Sequence, residues 1–262
     1  MPLDNFIPRD INYFKLCNQN EPETDIITNI NENGINNKDV FIIIPVHNEE
    51  KNIGSVIKEI KQYITNANIV VVNDGSKDRT EYEVINSGAY IISNTSNRGQ
   101  WAALRTGFKI TLAFEPRVIV TLDGDGQHEP KYIKNMINPI LEDDCEFVIA
   151  SRFIEKQPLN MSIYRYFGIK MFNYMLKIRT GMELTDCTNG FKAYNPQLIK
   201  EILPRLKENQ YGALESLIQL SKYKIQYKEI PITSINSSKS RKGGLKYGIN
   251  LLPIIINSLF TK

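Results

Sequence analysis

The chain has 262 residues, of which 42% are hydrophobic, and its 32 basic and 29 acidic side chains give a formal net charge of +3. This apolar content is enough to bury a sizeable core, which excludes disorder or a fibre as a description of the whole chain. The nearly neutral total gives no reason to expect a nucleic acid as partner. The charge is unevenly distributed, however, because residues 217–262 have a net charge of +7 and the rest of the chain −4.

The cysteines and the N-terminus indicate the compartment. Cys17, Cys145 and Cys187 are far apart and show no CxxC spacing, which argues against a disulfide framework and a zinc site and favours a reducing cytoplasm. No basic stretch followed by an apolar run opens the sequence, so we expect no signal peptide. No run reaches the roughly 20 apolar residues that a spanning helix needs.

The first 39 residues are predicted to be an N-terminal arm and a linker. The arm covers residues 6–17, and residues 18–37 include seven asparagines and few large apolar side chains. Such a polar composition is typical of a loop or linker. We therefore expect the main domain to begin at Val40.

From Val40 onward, apolar runs alternate with amphipathic helical patterns. Strands are predicted over 40–45, 68–73, 89–92, 117–122 and 147–151. Helices are predicted over 53–64, 78–86, 99–113 and 131–141. This alternation predicts an α/β fold, with a mostly parallel sheet that is covered by helices on both faces.

Polar clusters follow three of the predicted strands. They are PVHNE at 45–49, NDGS at 73–76 and DGDGQH at 123–128. In parallel sheets ligands bind beyond the carboxyl ends of the strands. We therefore expect the three clusters to converge on one ligand.

The cluster at 123–128 has the pattern of a divalent cation site. Asp123, Asp125 and Gln127 place oxygen-bearing side chains at alternate positions, with glycine between them. Hard oxygen ligands at this spacing suit Mg²⁺ or Mn²⁺, which in enzymes commonly bridge to substrate phosphates. An EF-hand is excluded because His128 replaces its glycine and Lys134 replaces its bidentate glutamate. An acidic turn that only caps the next helix is the alternative, and the loop alone does not decide between the two.

Motifs of several other enzyme classes are absent. The sequence has no GxxxxGK[ST] and no GxSxG, and GDGQHE lacks the third glycine of a dinucleotide-binding fingerprint. Two histidines are too few for a histidine-rich metal site. P-loop enzymes, Rossmann dehydrogenases and hydrolases with a serine elbow therefore lose support.

The C-terminal region joins a basic segment to an apolar run. SSKSRKGGLKYG precedes residues 249–262, which are too short to cross a membrane. These residues fit a helix on a membrane surface and a helix packed on the domain equally well. An anionic leaflet would attract the basic residues by roughly 1 kcal/mol each.

A second pattern, over 162–178, has an aromatic and methionine stripe that we expect to be core rather than an interfacial face.

Six motifs, taken in order, resemble those of a known family. They are PVHNEEKNI, VVNDGSKDRT, NRGQWAALRTG, LDGDGQHEP, ASRF and LTDCTNGFKAY. Together they resemble family 2 nucleotide-diphospho-sugar glycosyltransferases with the GT-A fold, particularly polyprenyl-phosphate glycosyltransferases of the dolichol-phosphate mannose synthase type. The resemblance implies a glycosyltransferase domain over about 40–248, which leaves the N-terminal arm and residues 249–262 outside it.

The resemblance also implies the roles of individual residues. Asp123, Asp125 and Gln127 would hold the metal ion, Arg152 would contact a donor or acceptor phosphate, and Asp186 would face the reaction centre. The nucleotide-diphospho-sugar donor would be bound by Pro45, His47, Glu49, Asn73, Asp74, Asn97, Gly124, Arg152, Arg241, Lys242 and Lys246. For most of these residues a local role in a turn, a helix cap or an ion pair is the alternative.

Four positions depart from the family pattern. His47 stands where tyrosine is common, Asn73 where aspartate is common, and Lys192 where arginine is usual. Gln100 and Trp101 replace small residues. An asparagine at position 73 can donate as well as accept, so the base of the donor stays open. Trp101 is expected either to stack on a sugar or to pack in the core.

The resemblance further implies inversion by direct displacement, in which negative charge builds on the departing diphosphate. A polyprenyl phosphate is already ionised and needs no strong base, whereas a sugar hydroxyl would need Asp186 as base. We expect transfer to a polyprenyl phosphate by a peripheral protein at the cytoplasmic face of a membrane. Two alternatives stay open: transfer to a hydroxyl during cell-surface polysaccharide synthesis, and a GT-A scaffold that binds nucleotide-sugars without turnover.

Overall fold

A mixed sheet of eight strands forms the centre of the computed structural model, which describes residues 11–15, 40–155, 161, 163–207, 209–210 and 212–233. The strand order is β1-β4-β3-β2-β5-β7-β6-β8, and within it β1 and β7 run antiparallel to their neighbours. The remaining pairs are parallel. The strands are β1 Ile11–Lys15, β2 Val40–Val46, β3 Asn68–Asn73, β4 Tyr90–Asn94, β5 Val118–Thr121, β6 Phe147–Ser151, β7 Lys192–Tyr194 and β8 Tyr227–Pro231.

Helices cover both faces of the sheet. They are α1 Ile53–Tyr63, α2 Thr80–Asn86, α3 Gln100–Leu112, α4 Ile133–Leu141, α5 Ile163–Thr180, α6 Pro196–Ile202 and α7 Gly212–Leu220, with 3-10 turns at Pro130–Tyr132 and Leu203–Arg205. None of these helices, in the part of the chain that the structure describes, is long and apolar enough to cross a membrane.

Successive side chains of the central strands enter two separate cores. On β2, Phe41 and Ile43 pack on one face with residues of α3, α5, α6 and α7. Ile42 and Ile44 pack on the opposite face with residues of α1, α2 and α4. Because side chains alternate along a strand, a strand that is apolar throughout is buried on both faces. The predicted α/β fold is confirmed, and β3 and β6 have the predicted bounds.

Helix α5 has two apolar faces. Ile169, Phe172 and Leu176 are buried in the core. Phe167 and Met171, by contrast, are 64% and 43% exposed. The prediction that this stripe is core is therefore correct for one face and wrong for the other.

Several elements were not predicted. β7 has only three residues, and β8 has two adjacent charged residues, Lys228 and Glu229, in place of an alternating pattern, so neither gives a strong strand signal. Within the predicted arm, residues 11–15 add a strand to the edge of the sheet beside β4. The predicted linker, the basic cluster of Arg241, Lys242 and Lys246, and the apolar segment 249–262 lie outside the described residues. The boundaries of the domain stay a prediction.

Candidate active site

A cavity of about 790 Å³ lies at the carboxyl ends of β2, β3, β5 and β6. Its volume is in the range of small-molecule sites, roughly 300–1,000 Å³. The sequence-predicted residues on its wall are Pro45, His47, Glu49, Asp74, Asn97, Asp123, Gly124, Asp125, Gln127 and Arg152. The structure thus brings together all three polar clusters that follow the strands. Asn73 and Asp186 lie behind this wall.

His47 is held in one orientation at the β2 end of the cavity. Its Nδ1 is 2.8 Å from the backbone carbonyl oxygen of Asp74, and its Nε2 is 3.1 Å from the side-chain nitrogen of Asn48. A carbonyl oxygen only accepts, so Nδ1 carries the proton and donates it. The imidazole is therefore fixed by the loop that follows β3.

The Asp74 carboxylate organises the loop that leads into α3. It accepts hydrogen bonds from the backbone N–H groups of Arg98 and Gly99, at 2.9 and 2.7 Å, and from the side chain of Asn94 at 3.0 Å. These bonds place the neighbouring Asn97 on the cavity wall. Asp74 therefore shapes the site by fixing this loop.

Asn73 and Glu49 also make local contacts. Asn73 is 3% exposed, accepts from the backbone N–H of Ser76 at 3.0 Å and donates to the Ser93 hydroxyl at 3.2 Å. Glu49 lines the cavity and accepts from Asn52 at 2.8 Å just before α1. The hydrogen bonds of Asn73 shape the turn after β3, and its predicted contact with a base stays a prediction.

The acidic loop after β5 presents two carboxylates to the cavity. Asp123 accepts from the side chain of Gln100 at 2.7 Å. Asp125 accepts from the backbone and the side-chain nitrogen of Gln127, at 3.0 and 2.7 Å. A Cβ atom at Gly190 would lie 2.8 Å from a carboxylate oxygen of Asp123, so only glycine allows this close approach. Two carboxylates and an amide thus line one edge of the cavity.

These oxygen atoms fit a divalent cation whose other ligands come from phosphate. Mg²⁺ is commonly bound through one or two carboxylates together with substrate phosphates. Within the described residues no group of three or more His, Cys, Asp or Glu side chains could enclose a metal ion. The donor set therefore suits an ion that is shared with a ligand rather than a closed structural site.

His128 is a buried residue that packs beneath the surface of the acidic loop and supports it. It is 8% exposed, its ring lies 5.6 Å from that of Phe191, and its Nδ1 is 3.4 Å from the backbone nitrogen of Asp123. Burial lowers the pKa of His128 to about 4, against the opposing effect of the Asp125 charge. At neutral pH its ring is therefore uncharged.

Arg152 and Asp186 form a buried bidentate ion pair after β6. Nε and a terminal nitrogen of Arg152 donate to the two carboxylate oxygens at 2.7 and 2.8 Å. Asp186 is fully buried, whereas Arg152 is 11% exposed and lines the cavity. The carboxylate thus lies behind the guanidinium and fixes its orientation.

Two residues that the sequence analysis missed hold the loop around Asp186. Glu229 on β8 accepts from the backbone N–H of Thr185 at 2.9 Å and from that of Asp186 at 3.3 Å. Asn173 on α5 accepts from the backbone of Cys187 at 3.0 Å. Glu229 and Asn173 are distant in sequence from the TDCTNGF motif, so only the fold shows their role.

The N-terminus of α3 is closed by the loop at residues 209–210. The carbonyl oxygen of Asn209 accepts from the backbone N–H groups of Trp101 and Ala102, at 2.7 and 3.1 Å. The Gln210 side chain accepts from the backbone of Gln100 at 3.3 Å. The next amide, at Ala103, donates to the carbonyl oxygen of Gly99 at 3.0 Å.

The two expectations for Trp101 are compatible, because it is 6% exposed and also lines the cavity.

Comparisons with known proteins agree with this geometry. The family described as Glycosyl transferase family 2 matches residues 41–203. A protein of Methanocaldococcus jannaschii, named only as uncharacterised, is 35% identical over 81% of this chain and 88% of its own. The UDP-N-acetylglucosamine–dolichyl-phosphate N-acetylglucosaminyltransferase of Methanococcus voltae is 30% identical over 78% of this chain and 89% of its own.

A solved structure shares the fold. Glucosyl-3-phosphoglycerate synthase from Mycobacterium tuberculosis, in complex with Mn²⁺ and UDP-glucose, superimposes with a TM-score of 0.62 at 17% identity. The match covers 84% of this chain and 78% of the synthase. The predicted GT-A fold is confirmed by this likeness.

Proposed function

The chain belongs to glycosyl transferase family 2, and from this we propose that it transfers a sugar from a nucleotide-diphospho-sugar to a polyprenyl phosphate, with inversion and with the help of a divalent cation. That it is a nucleotide-sugar glycosyltransferase follows from the family. The acceptor, the stereochemistry and the metal dependence are the proposal. The Methanococcus voltae relative, whose name gives a dolichyl phosphate acceptor, supports it.

The state of Asp186 is the observation that carries the choice of acceptor. A sugar hydroxyl has to lose its proton as it attacks, which requires a base within reach. Asp186 is fully buried, and both of its oxygens accept from Arg152. A phosphate oxygen is ionised already and needs no base. The ion pair therefore favours a phosphate acceptor, with Asp186 as the residue that orients Arg152.

Arg152 would meet the phosphate of the acceptor or of the donor. Its guanidinium is mostly removed from water, where a charge-assisted hydrogen bond is stronger than at the surface. It lines the same cavity as the acidic loop, so the groups that would bind the two phosphate-bearing substrates face one space.

Asp123 and Asp125, with the amide of Gln127, are the residues that would hold the cation. A divalent cation bound there supplies positive charge that stabilises the departing nucleoside diphosphate. The complex of the Mycobacterium tuberculosis synthase with Mn²⁺ and UDP-glucose supports this assignment. Pro45, His47 and Asp74, at the β2 and β3 side of the cavity, would receive the nucleoside.

A membrane surface is the proposed location of the acceptor. The outer face of α5 carries Ile163, Phe167, Met171, Tyr174 and Ile178, each between 43% and 66% exposed. These residues recur every three or four positions and so form one stripe, which suits an interfacial helix. The basic segment that contains Arg241, Lys242 and Lys246 would add attraction to an anionic leaflet at the cytoplasmic face.

The test is a transfer assay with a panel of UDP- and GDP-sugars, Mn²⁺ and short polyprenyl phosphates. We expect sugar on the lipid phosphate with inverted anomeric configuration, and loss of product when EDTA replaces Mn²⁺. Product only on a saccharide hydroxyl would contradict the proposed acceptor. Donor binding that survives Asp125→Ala, without transfer or hydrolysis, would instead indicate a scaffold without turnover.

A further inference from the structure

Lys192 is a buried cation that the proposed function leaves unused. It is 1% exposed, and its Nζ has no hydrogen-bond partner among the described residues. It nevertheless belongs to the wall of the cavity. Burying an ammonium group without a hydrogen-bond acceptor is unfavourable. This arrangement therefore points to a ligand that supplies the hydrogen-bond acceptor when it binds.

The direction of β7 brings Lys192 to the cavity. The strands β2, β3, β5 and β6 end there, and β7 begins there because it runs antiparallel to β5 and β6. Lys192, its first residue, pairs with Thr121 of β5 on one side and Ile149 of β6 on the other. It therefore lies between the acidic loop after β5 and Arg152 after β6.

The same strand order separates Lys192 from the nucleoside side. His47 and Asp74 follow β2 and β3, which lie on the other side of β5. A donor with its nucleoside over β2 and β3 and its diphosphate at the acidic loop would extend its sugar over β7. The position of Lys192 thus corresponds to the sugar rather than to the base.

Trp101 lies beside Lys192 in the cavity wall. Lys192 Nζ is 5.7 Å from the centre of the indole ring. The ring is packed closely against α7, since a Cβ atom at Gly212 would lie 2.6 Å from it. A fixed aromatic ring beside a hydrogen-bond donor is a suitable surface for a sugar, which has apolar C–H faces and polar hydroxyl edges.

We propose that Lys192 and Trp101 form the donor-sugar subsite, in which Lys192 Nζ donates hydrogen bonds to oxygen atoms of the sugar and Trp101 covers one of its faces. The sugar oxygen that accepts the hydrogen bond from Lys192 belongs to a hydroxyl, an acetamido carbonyl or a carboxylate of the hexose. This inference rests on the proposed function and deepens it, because it names the residue that distinguishes one donor sugar from another.

The protonation of Lys192 agrees with this role. Burial lowers its pKa to about 8, while Cys187, Asp123 and Asp186 act in the opposite direction. The side chain is therefore mainly protonated at neutral pH and can donate charge-assisted hydrogen bonds.

The test compares nucleotides with nucleotide-sugars in the full-length protein. Trp101 is the only tryptophan of the chain, so its fluorescence reports on this subsite alone. The probes are UDP, UDP-glucose, UDP-N-acetylglucosamine, UDP-glucuronate, GDP and GDP-mannose, each with Mn²⁺. We expect one nucleotide-sugar to change the fluorescence more than its parent nucleotide does.

The decisive variant is Lys192→Met, which keeps the length of the side chain but removes the charge and the donor. We expect it to weaken binding of that nucleotide-sugar by about 10- to 100-fold, the effect of losing a hydrogen bond to a charged group, and to change binding of the parent nucleotide by less than about twofold. Lys192→Arg should retain most of the preference for the sugar. Lys58→Met, an exposed lysine on α1, is the control and should change neither affinity.

Stability gives an independent measurement. Because Lys192→Met removes a buried ammonium group that has no hydrogen-bond partner among the described residues, the unliganded variant should melt no lower than the wild type. A lower melting temperature, or an equal loss of affinity for nucleotide and nucleotide-sugar, would overturn the inference and leave the proposed function intact. Failure of every nucleotide to bind would overturn both.

Discussion

Replacing Arg152 with glutamine removes one half of a buried ion pair and leaves the other half in place. Asp186 would remain fully buried without the two hydrogen bonds of 2.7 and 2.8 Å that now neutralise it. Removing one partner of a buried pair costs about 3–5 kcal/mol. Because Arg152 keeps 11% exposure, we expect the lower end of that range, about 3 kcal/mol.

The double variant Arg152→Gln/Asp186→Asn leaves two neutral amides at the same place. Neither of the two positions then carries a buried charge, so we expect the double variant to be more stable than Arg152→Gln alone. The coupling energy between the two positions should then be at least about 2 kcal/mol.

Urea unfolding followed by circular dichroism, without nucleotide and at fixed pH, measures these free energies. The exposed pair Lys228–Asp144, at 3.1 Å and with side chains 46% and 54% exposed, is the matched control. Its coupling energy should be about 1 kcal/mol or less. A coupling below about 0.5 kcal/mol at Arg152 and Asp186 would refute the reasoning. Asp186 would then be available as a base, and the ion pair would no longer favour a phosphate acceptor.

Four further outcomes test other parts of the structure. Asp125→Asn should weaken Mn²⁺-dependent binding of a nucleotide-sugar by about tenfold or more in calorimetry, and unchanged binding would remove Asp125 from the cation site. Burial raises the pKa of Glu229 above its ordinary value of 4.5. As the pH falls, the Glu229 carboxylate therefore becomes protonated at a higher pH in the folded state than in the unfolded state. The wild type should therefore gain free energy of unfolding relative to Glu229→Gln as the pH falls from neutral towards 4.5, whereas a constant difference would contradict the shift. Burial also raises the pKa of Cys187 to about 12, so this thiol should react with a disulfide reagent only after unfolding, and modification of the folded protein at Cys187 would disprove its burial. Phe167→Ser on the outer face of α5 should reduce sedimentation with anionic liposomes, whereas Tyr82→Ser, also exposed but on α2, should not; equal effects would argue against α5 as the membrane-facing helix.

The sequence predicted the parallel part of the fold because that part depends on local patterns. Residues 40–46 and 69–72 are continuous apolar runs, and the helices beside them repeat apolar residues at helical spacing. The polar clusters after these strands could be placed in one site from topology alone.

The remainder depends on contacts between distant residues. Nothing in the TDCTNGF motif indicates that Asp186 lies behind Arg152, since the pairing follows from where β6 and the loop before β7 meet. Glu229 supports this loop from another strand, 43 residues away in sequence from Asp186. For Lys192, the sequence shows only a departure from the family pattern, whereas the missing hydrogen-bond partner of its ammonium group, within the part of the chain that the structure describes, is a property of the folded core.

The closed N-terminus of α3 limits which groups can neutralise the negative charge of a phosphate at this site. Helix N-termini often bind phosphate because their unpaired N–H groups and the positive end of the helix dipole face the anion. In α3 the leading amides are already paired with Asn209, Gln210 and Gly99, so this helix offers no such N–H groups to a diphosphate. At the proposed donor site, the charge of a bound diphosphate would then be balanced by side chains and by the proposed cation. Donor affinity should accordingly vary with ionic strength and divalent cation concentration far more than it would in a phosphate site built on a helix terminus.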